Sequence, residues 1–88
     1  MPILSIFYGL IIYMFKEEGG QHNLPRIHVE YGDITAVVDL EGNFLRGDLP
    51  ANKRKLLEAW ITLHAEELEV NWKLISKGEP HLKIKPLK

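Results

Sequence analysis

The stretch ANKRKLLEAWITLHAEELEVNWKLIS, residues 51–76, predicts one long amphipathic helix. At about 100° per residue, its apolar side chains gather on one broad side. They are Leu56, Leu57, Trp60, Ile61, Leu63, Leu68, Val70, Trp72, Leu74 and Ile75. A helix of this kind is stable when that side is buried against other elements. We therefore expect this helix to decide the fold, with both tryptophans in the core.

Three polar residues, His64, Glu67 and Asn71, fall inside the apolar side of this predicted helix. Their spacing of i, i+3 and i+7 places them in a line along one face. This polar line is either a hydrogen-bonded structural seam or part of a functional site. The sequence leaves both readings open.

The chain before the helix has the patterns of short antiparallel strands. An apolar run over residues 2–15, interrupted by Gly9, predicts a strand pair or a bent strand. Residues 26–31 alternate between apolar and polar, so His28 is expected to point away from the core. Turn residues Gly32-Asp33 and 41–43 separate further strands, all within residues 26–46.

These patterns together predict an α+β fold in a single domain spanning residues 1–88. An antiparallel sheet of about five short strands has one long helix packed across one face. Gly78 and Pro80 favour an end to the helix near residue 76. Residues 82–87 alternate apolar residues with lysine and predict an edge strand or a tail.

Composition excludes several classes of function. The chain has 88 residues, a net charge of −1 and no cysteine, which excludes disulfides and thiolate metal sites. Its charge balance provides no global field for nucleic acid, so binding of RNA would need a local patch. The apolar N-terminal run is too short to span a bilayer and lacks the basic region of a signal peptide. We expect a cytoplasmic protein without a membrane role or a cofactor.

Three cations, Lys53, Arg54 and Lys55, stand in the first turn of the predicted helix, where the helix dipole disfavours positive charge. They are either solvated surface residues or a small anion-binding patch. Charge runs of this type are more often solvated.

Several dispersed motifs occur in a defined order: MPILSIFYGLIIYMF, HNLPRIHVEYGDITAVVDLEGNFLRGDLP, EAW-x3-H-x2-EL-x2-NW and IKPL. This order resembles a family of short bacterial proteins, the domain of unknown function 4160 family. On the helix, the residues that match the family pattern are Trp60, His64, Glu67, Leu68, Asn71 and Trp72. The resemblance implies a member of a toxin–antitoxin-like pair.

The family's histidine-rich run is only partly present in this chain. His22, Pro25 and His28 match the family pattern. Gln21, Leu24 and Arg26 stand where the family has aspartate, proline and a middle histidine. The loss of that histidine counts against a metal site here.

We consider three hypotheses for function. The first is a metal site, whose ligands would be His22, His28 and His64, supported by Glu67; a structural role for these residues is favoured over it.

The second hypothesis is an enzyme that cleaves RNA without a metal. His28 or His64 would move a proton, Glu67 would orient the histidine, and Arg26 or residues 53–55 would hold phosphate.

The third and leading hypothesis is a binding component of a regulatory or toxin–antitoxin-like pair, whose partner is another protein or a second copy of the chain. Its candidate binding residues are His22, Arg26, Lys53, Arg54, Lys55 and Asn71. Edge strands and tails are ready surfaces for such a partner.

Overall fold

A computed structural model describes residues 3–15 and 24–87 of the chain. It has five strands followed by two helices. The strands are β1 (Ile3–Phe7), β2 (Leu10–Tyr13), β3 (Arg26–Tyr31), β4 (Ile34–Asp39) and β5 (Phe44–Arg46), and the helices are α1 (Ala51–Leu63) and α2 (Ala65–Ser76). The predicted α+β class with a five-stranded antiparallel sheet is confirmed.

The sheet is a meander in which each strand pairs with the next, in the order β1-β2-β3-β4-β5. Two-residue turns connect β1 to β2 at Tyr8-Gly9 and β3 to β4 at Gly32-Asp33. Phe7 is therefore opposite Leu10, and Tyr31 is opposite Ile34. Both residues of the first turn have positive φ, which is typical of a tight hairpin whose twist matches the sheet.

One face of the sheet and the inner sides of both helices form the core. From β2, this face receives Leu10 and Ile12, and Met14 joins them just after the strand. From β3 it receives Ile27 and Val29. The helices and the C-terminal segment contribute Leu57, Trp60, Ile61, Leu68, Ile75 and Ile84. Because side chains alternate along a strand, the residues between these positions lie on the opposite face of the sheet.

The prediction of a single continuous helix is wrong. His64 separates α1 from α2 and has φ −116° and ψ 27°, outside the helical region. The backbone hydrogen bond from His64 N to Trp60 O (3.0 Å) ends α1, and the bond from Leu68 N to His64 O (2.9 Å) begins α2. The helix is therefore interrupted at one residue, which we call the kink, and both α1 and α2 contribute buried side chains to the core.

The apolar side predicted for the helix was too broad. Trp60 is fully buried and Trp72 is half-buried against the core, as expected. Leu63 and Val70 lie on the outer side, with 68% and 47% of their surface exposed. At about 100° per residue, Leu63 lies about 120° around α1 from Leu57, and Val70 about 160° around α2 from Leu68, which places both outside the buried stripe.

The C-terminal segment forms no strand between residues 81 and 87 and instead lies against the helices and β1. Ile84 is buried, and its N–H donates to the carbonyl of Leu4 at 2.9 Å. Leu82 and Lys85 are held by side chains of the helices, as described below. This segment is a tail packed on the fold.

Two residues, Asp39 and Gly47, organise the turns around β5. Burial alone would raise the pKa of the Asp39 carboxyl, but hydrogen bonds from Asn43, Glu41 and Gly42 hold that pKa below its ordinary value. Gly47 has φ +73°, and a Cβ there would overlap the carbonyl oxygen of Thr35 and lie 3.1 Å from the Cα of Ala36. The chain leaving β5 can follow β4 this closely because residue 47 has no side chain.

The two glycines Gly47 and Gly78 provide a matched test of that close approach. Both have positive φ, +73° and +75°, but a Cβ at Gly78 meets nothing within 4 Å. Gly78→Ala is expected to cost about 1–2 kcal/mol of unfolding free energy, from backbone strain alone. Gly47→Ala should cost roughly 2 kcal/mol more because of the overlap with β4. Urea unfolding of both variants measures the difference; equal losses would contradict the packing described at Gly47.

Candidate functional site

The predicted polar line is divided between two structural roles. His64 is the N-cap residue of α2 and Glu67 is three positions later, with the His64 Nδ1 atom 2.6 Å from the Glu67 Oε1 atom. The His64 ring also contacts the indole of Trp60, with 5.6 Å between ring centroids. The pair therefore lies at the kink, with the Glu67 side chain more than half exposed.

Asn71 fixes the tail to α2. Its side chain is 1% exposed, donates to the carbonyl of Glu67 at 3.2 Å and accepts from the N–H of Leu82 at 2.7 Å. Trp60 makes a similar connection, since its Nε1–H donates to the carbonyl of Lys85 at 2.8 Å. Both Asn71 and Trp60 thus hold the tail against the helices.

The cations at the start of α1 also make contacts within the chain. Lys53 donates to the carbonyl of Tyr8 at 3.0 Å and lies over the Tyr31 ring, 5.2 Å from its centroid. Arg54 forms an ion pair with Asp48, and its hydrogen bond lowers the pKa of the Asp48 carboxyl. Lys55 is exposed. These contacts within the fold favour a structural role for Lys53 and Arg54 over a role in binding an anion.

The sheet face turned away from the helices carries a cluster of rings. Tyr13 is opposite His28 in the β2–β3 register, and the two rings are nearly parallel with centroids 5.8 Å apart. The Phe15 ring lies 4.3 Å from the His28 ring. The Tyr13 hydroxyl donates to Glu30 at 2.8 Å; burial raises the pKa of this hydroxyl, and the hydrogen bond and charge of Glu30 raise it further. We call this side of the sheet the outer face.

A cleft of about 560 Å³ opens on the outer face beside these rings. Among residues 3–15 and 24–87, four apolar side chains, two arginines and one histidine line it. They are Phe15, Leu24, Arg26, His28, Val37, Leu45 and Arg46. Arg26 is largely buried and donates to the carbonyl of Leu24 at 3.2 Å, whereas Arg46 is exposed. The described lining therefore combines apolar surface with the exposed guanidinium of Arg46, whereas Arg26 and His28 also interact within the chain.

The structure brings together some of the predicted site residues and separates others. His28 and Arg26 share the cleft, and His64 and Glu67 form the pair at the kink. The sheet lies between these two groups, since His28 is on the outer face and His64 contacts Trp60 in the core. His22 lies outside the described residues. Among residues 3–15 and 24–87, no group of three or more histidine or acidic side chains is arranged to hold a metal ion.

Sequence reasoning did not identify the other cleft residues, Phe15, Leu24, Val37, Leu45 and Arg46. One signal was available, because residues 10–15 are apolar at every position and so supply apolar side chains to both faces of a sheet. Which of them lie near His28 depends on the pairing of β2 with β3. That register is not determined by the apolar pattern of either strand.

One family model covers most of the chain. The family model described as a domain of unknown function, DUF4160, matches residues 9–73. The chain belongs to the DUF4160 family. The DUF4160 match contains every residue that lines the cleft and the polar line of the helices, and it ends before the tail. No curated protein and no solved structure matches the chain.

Within the described part of this DUF4160 protein, no helix has the length and apolar character needed to cross a membrane.

The contacts of Asn71 predict a loss of stability on its removal. Asn71→Ala leaves the Leu82 N–H without its side-chain partner and removes the additional hydrogen bond to the Glu67 carbonyl, so the unfolding free energy should fall by about 1–3 kcal/mol. Glu67→Ala removes a half-exposed side chain and its contact with His64, and should cost about 0–1 kcal/mol. Denaturant unfolding measures the stability of both variants, and hydrogen exchange measures the protection of the Leu82 amide in each. Wild-type stability and an unchanged Leu82 amide in Asn71→Ala would contradict the anchoring role.

Proposed function

We propose that this chain is a binding protein, one member of a toxin–antitoxin-like or regulatory pair in the bacterial cytoplasm. The observation that carries the proposal is the cleft on the outer face, where apolar surface lies beside Arg26 and Arg46. Exposed apolar side chains grouped with arginine are typical of surfaces that bind a partner. The partner is another protein, with self-association of the chain as the alternative.

The state of the polar line supports binding over catalysis. Asn71 is buried and both ends of its amide are bonded within the fold. His64 and Glu67 pair with each other at the kink, on the other side of the sheet from His28. A general acid and base must act on one bound substrate, at hydrogen-bond distance from the atoms that react. The predicted catalytic set of His28, His64 and Glu67 does not meet that requirement as one group.

Purification from the native operon tests the proposal. With a tag on this chain and its gene neighbours untagged, we expect a neighbour-encoded protein to co-purify in a stable, defined ratio, as measured by light scattering after size exclusion. An interface of standard size, about 800 Å² per partner, survives such a column. The control is the same tagged chain expressed without its neighbours. Recovery of this chain alone and monomeric from the complete operon would contradict the proposal.

A second candidate is an RNA-cleaving enzyme that uses His28 alone as its proton-transfer group. The observation in its favour is that His28 shares the cleft with Arg26 and Arg46, which are suited to holding phosphate. If it is correct, His28→Ala lowers RNA cleavage by about 100-fold or more, as loss of a general acid or base does. His64→Ala, which lies outside the cleft, leaves cleavage unchanged. Equal RNA integrity and equal growth with wild type and both variants would dismiss the enzyme.

A further inference from the structure

We infer that the groove that holds the tail is a second binding site, which also accepts the tail of a second copy of this chain. The groove lies between the helices and β1, where Leu4, Trp60 and Asn71 bind residues 82–85. We call it the tail groove. It is separate from the cleft on the outer face, so its failure leaves the proposed function unchanged.

Two helix side chains bind the backbone of the tail. The Asn71 Oδ1 atom accepts from the N–H of Leu82 at 2.7 Å, and the Trp60 Nε1–H donates to the carbonyl of Lys85 at 2.8 Å. The side chains of Leu82 and Lys85 are exposed, so neither bond depends on which side chain stands at these positions. Hydrogen bonds to main-chain groups are typical of sites that bind peptides.

Ile84 provides the side-chain specificity of the tail groove. Its N–H donates to the carbonyl of Leu4 in β1 at 2.9 Å, and its side chain is 4% exposed within the core. β1 is an edge strand of the sheet, and an edge strand has main-chain groups open to another segment. Lys83 and Lys85, on either side of Ile84, are exposed. The tail groove therefore selects one apolar side chain.

The tail is joined to α2 by a short hinge. The end of α2 is fixed by a hydrogen bond from the N–H of Glu79 to the carbonyl of Leu74 at 2.8 Å. Among the described residues, the next main-chain group that is hydrogen-bonded along the chain is the N–H of Leu82. Pro80 and His81 lie between these two fixed points. Rotation at these two residues moves the tail out of its own groove while α2 keeps its contacts.

A tail groove that has lost its tail favours a replacement. Departure of the tail uncovers the apolar surface against which Ile84 is buried. It also leaves Asn71 and Trp60 bonded to water in place of the tail. Because covering apolar surface again is favourable, the emptied groove binds a segment that restores these contacts.

A second copy supplies a tail that fits by identity. Its residues 82–85 present the same main-chain groups and the same isoleucine, so every contact described above forms between two copies without any change. Exchange of an identical element is a low-cost route to dimers. The covalent connection gives a chain's own tail an effective concentration of about millimolar. The second tail therefore competes for the groove when copies are concentrated or when the first tail is weakened.

Binding of a fluorescent peptide with the sequence of residues 80–88 tests the tail groove on the full-length chain. Ile84→Asp releases the chain's own tail, because a carboxylate is disfavoured in the core. We expect this variant to bind the peptide at least about tenfold more tightly than the wild-type chain, whose own tail competes at a high effective concentration. Lys83→Asp adds a carboxylate at the exposed neighbouring position and should bind the peptide as weakly as wild type.

A second peptide and a second variant serve as controls. A peptide that carries Ile84→Asp should not bind any of these chains. Thermal unfolding of each variant establishes that its fold is intact. Ile84→Ala shortens the anchoring side chain without adding a charge, and it replaces Ile84→Asp if that variant does not fold. Failure of the wild-type peptide to bind a folded variant, or equal affinity of the two peptides for it, overturns the inference.

A mixture of two full-length variants tests exchange between copies. Ile84→Asp has an intact groove and a defective tail, whereas Asn71→Ala has a weakened groove and an intact tail. At about 1 mM of each, near the effective concentration of a short tether, light scattering should detect a complex of one copy of each variant. This complex should exceed any association that either variant shows alone.

Absence of that excess overturns the assignment of the tail groove to a second copy. Displacement of the labelled peptide by the partner from the native operon also overturns it, in favour of that partner. Co-purification of the partner with the wild-type chain is a separate result, because it requires no change in the tail. The proposed function and the tail groove can therefore fail independently.

Discussion

Burial of the Trp60 side chain connects the three parts of this small fold. Its ring is fully buried and lies 5.3 Å from the ring of Phe7 in β1, measured between centroids. Its indole N–H is bonded to the carbonyl of Lys85, which brings the tail to the same place. Removal of a buried tryptophan typically costs about 3–5 kcal/mol, a large share of the stability of a domain this size. The sheet, helix and tail therefore depend on one side chain.

This arrangement assigns different tasks to the two faces of the sheet. The face with Ile12, Ile27 and Val29 is used to bury the helices. The outer face has rings and arginines in place of a second layer of helices among the described residues, and the cleft lies there. The polar line at His64, Glu67 and Asn71 belongs to the first face, where its contacts shape the kink and anchor the tail. The contacts that stabilise the fold thus lie on one side of the sheet, and the proposed binding cleft lies on the other.

Local patterns in the sequence were sufficient to predict the sheet and its turns. The alternation in residues 26–31 and the pair Gly32-Asp33 depend on neighbours in sequence, and the structure has a strand and a two-residue turn there. The break at His64 was not predicted, because neither proline nor glycine marks it in the sequence. The cleft was not predicted either. It depends on the register that places Tyr13 opposite His28, and a periodic pattern does not specify which residues of two strands pair.

A nitrogen-15 NMR titration of the chain with its co-purified partner tests the central claim most directly, since it observes both faces at once. The account predicts that backbone amide signals of residues 24–28, 37 and 44–46 shift or broaden as partner is added. Signals of residues 64–71 and of the tail at 82–85 should move little, because their side chains maintain the fold. Shifts concentrated at His64, Glu67 and Asn71, with the cleft unchanged, would contradict the assignment of binding to the outer face.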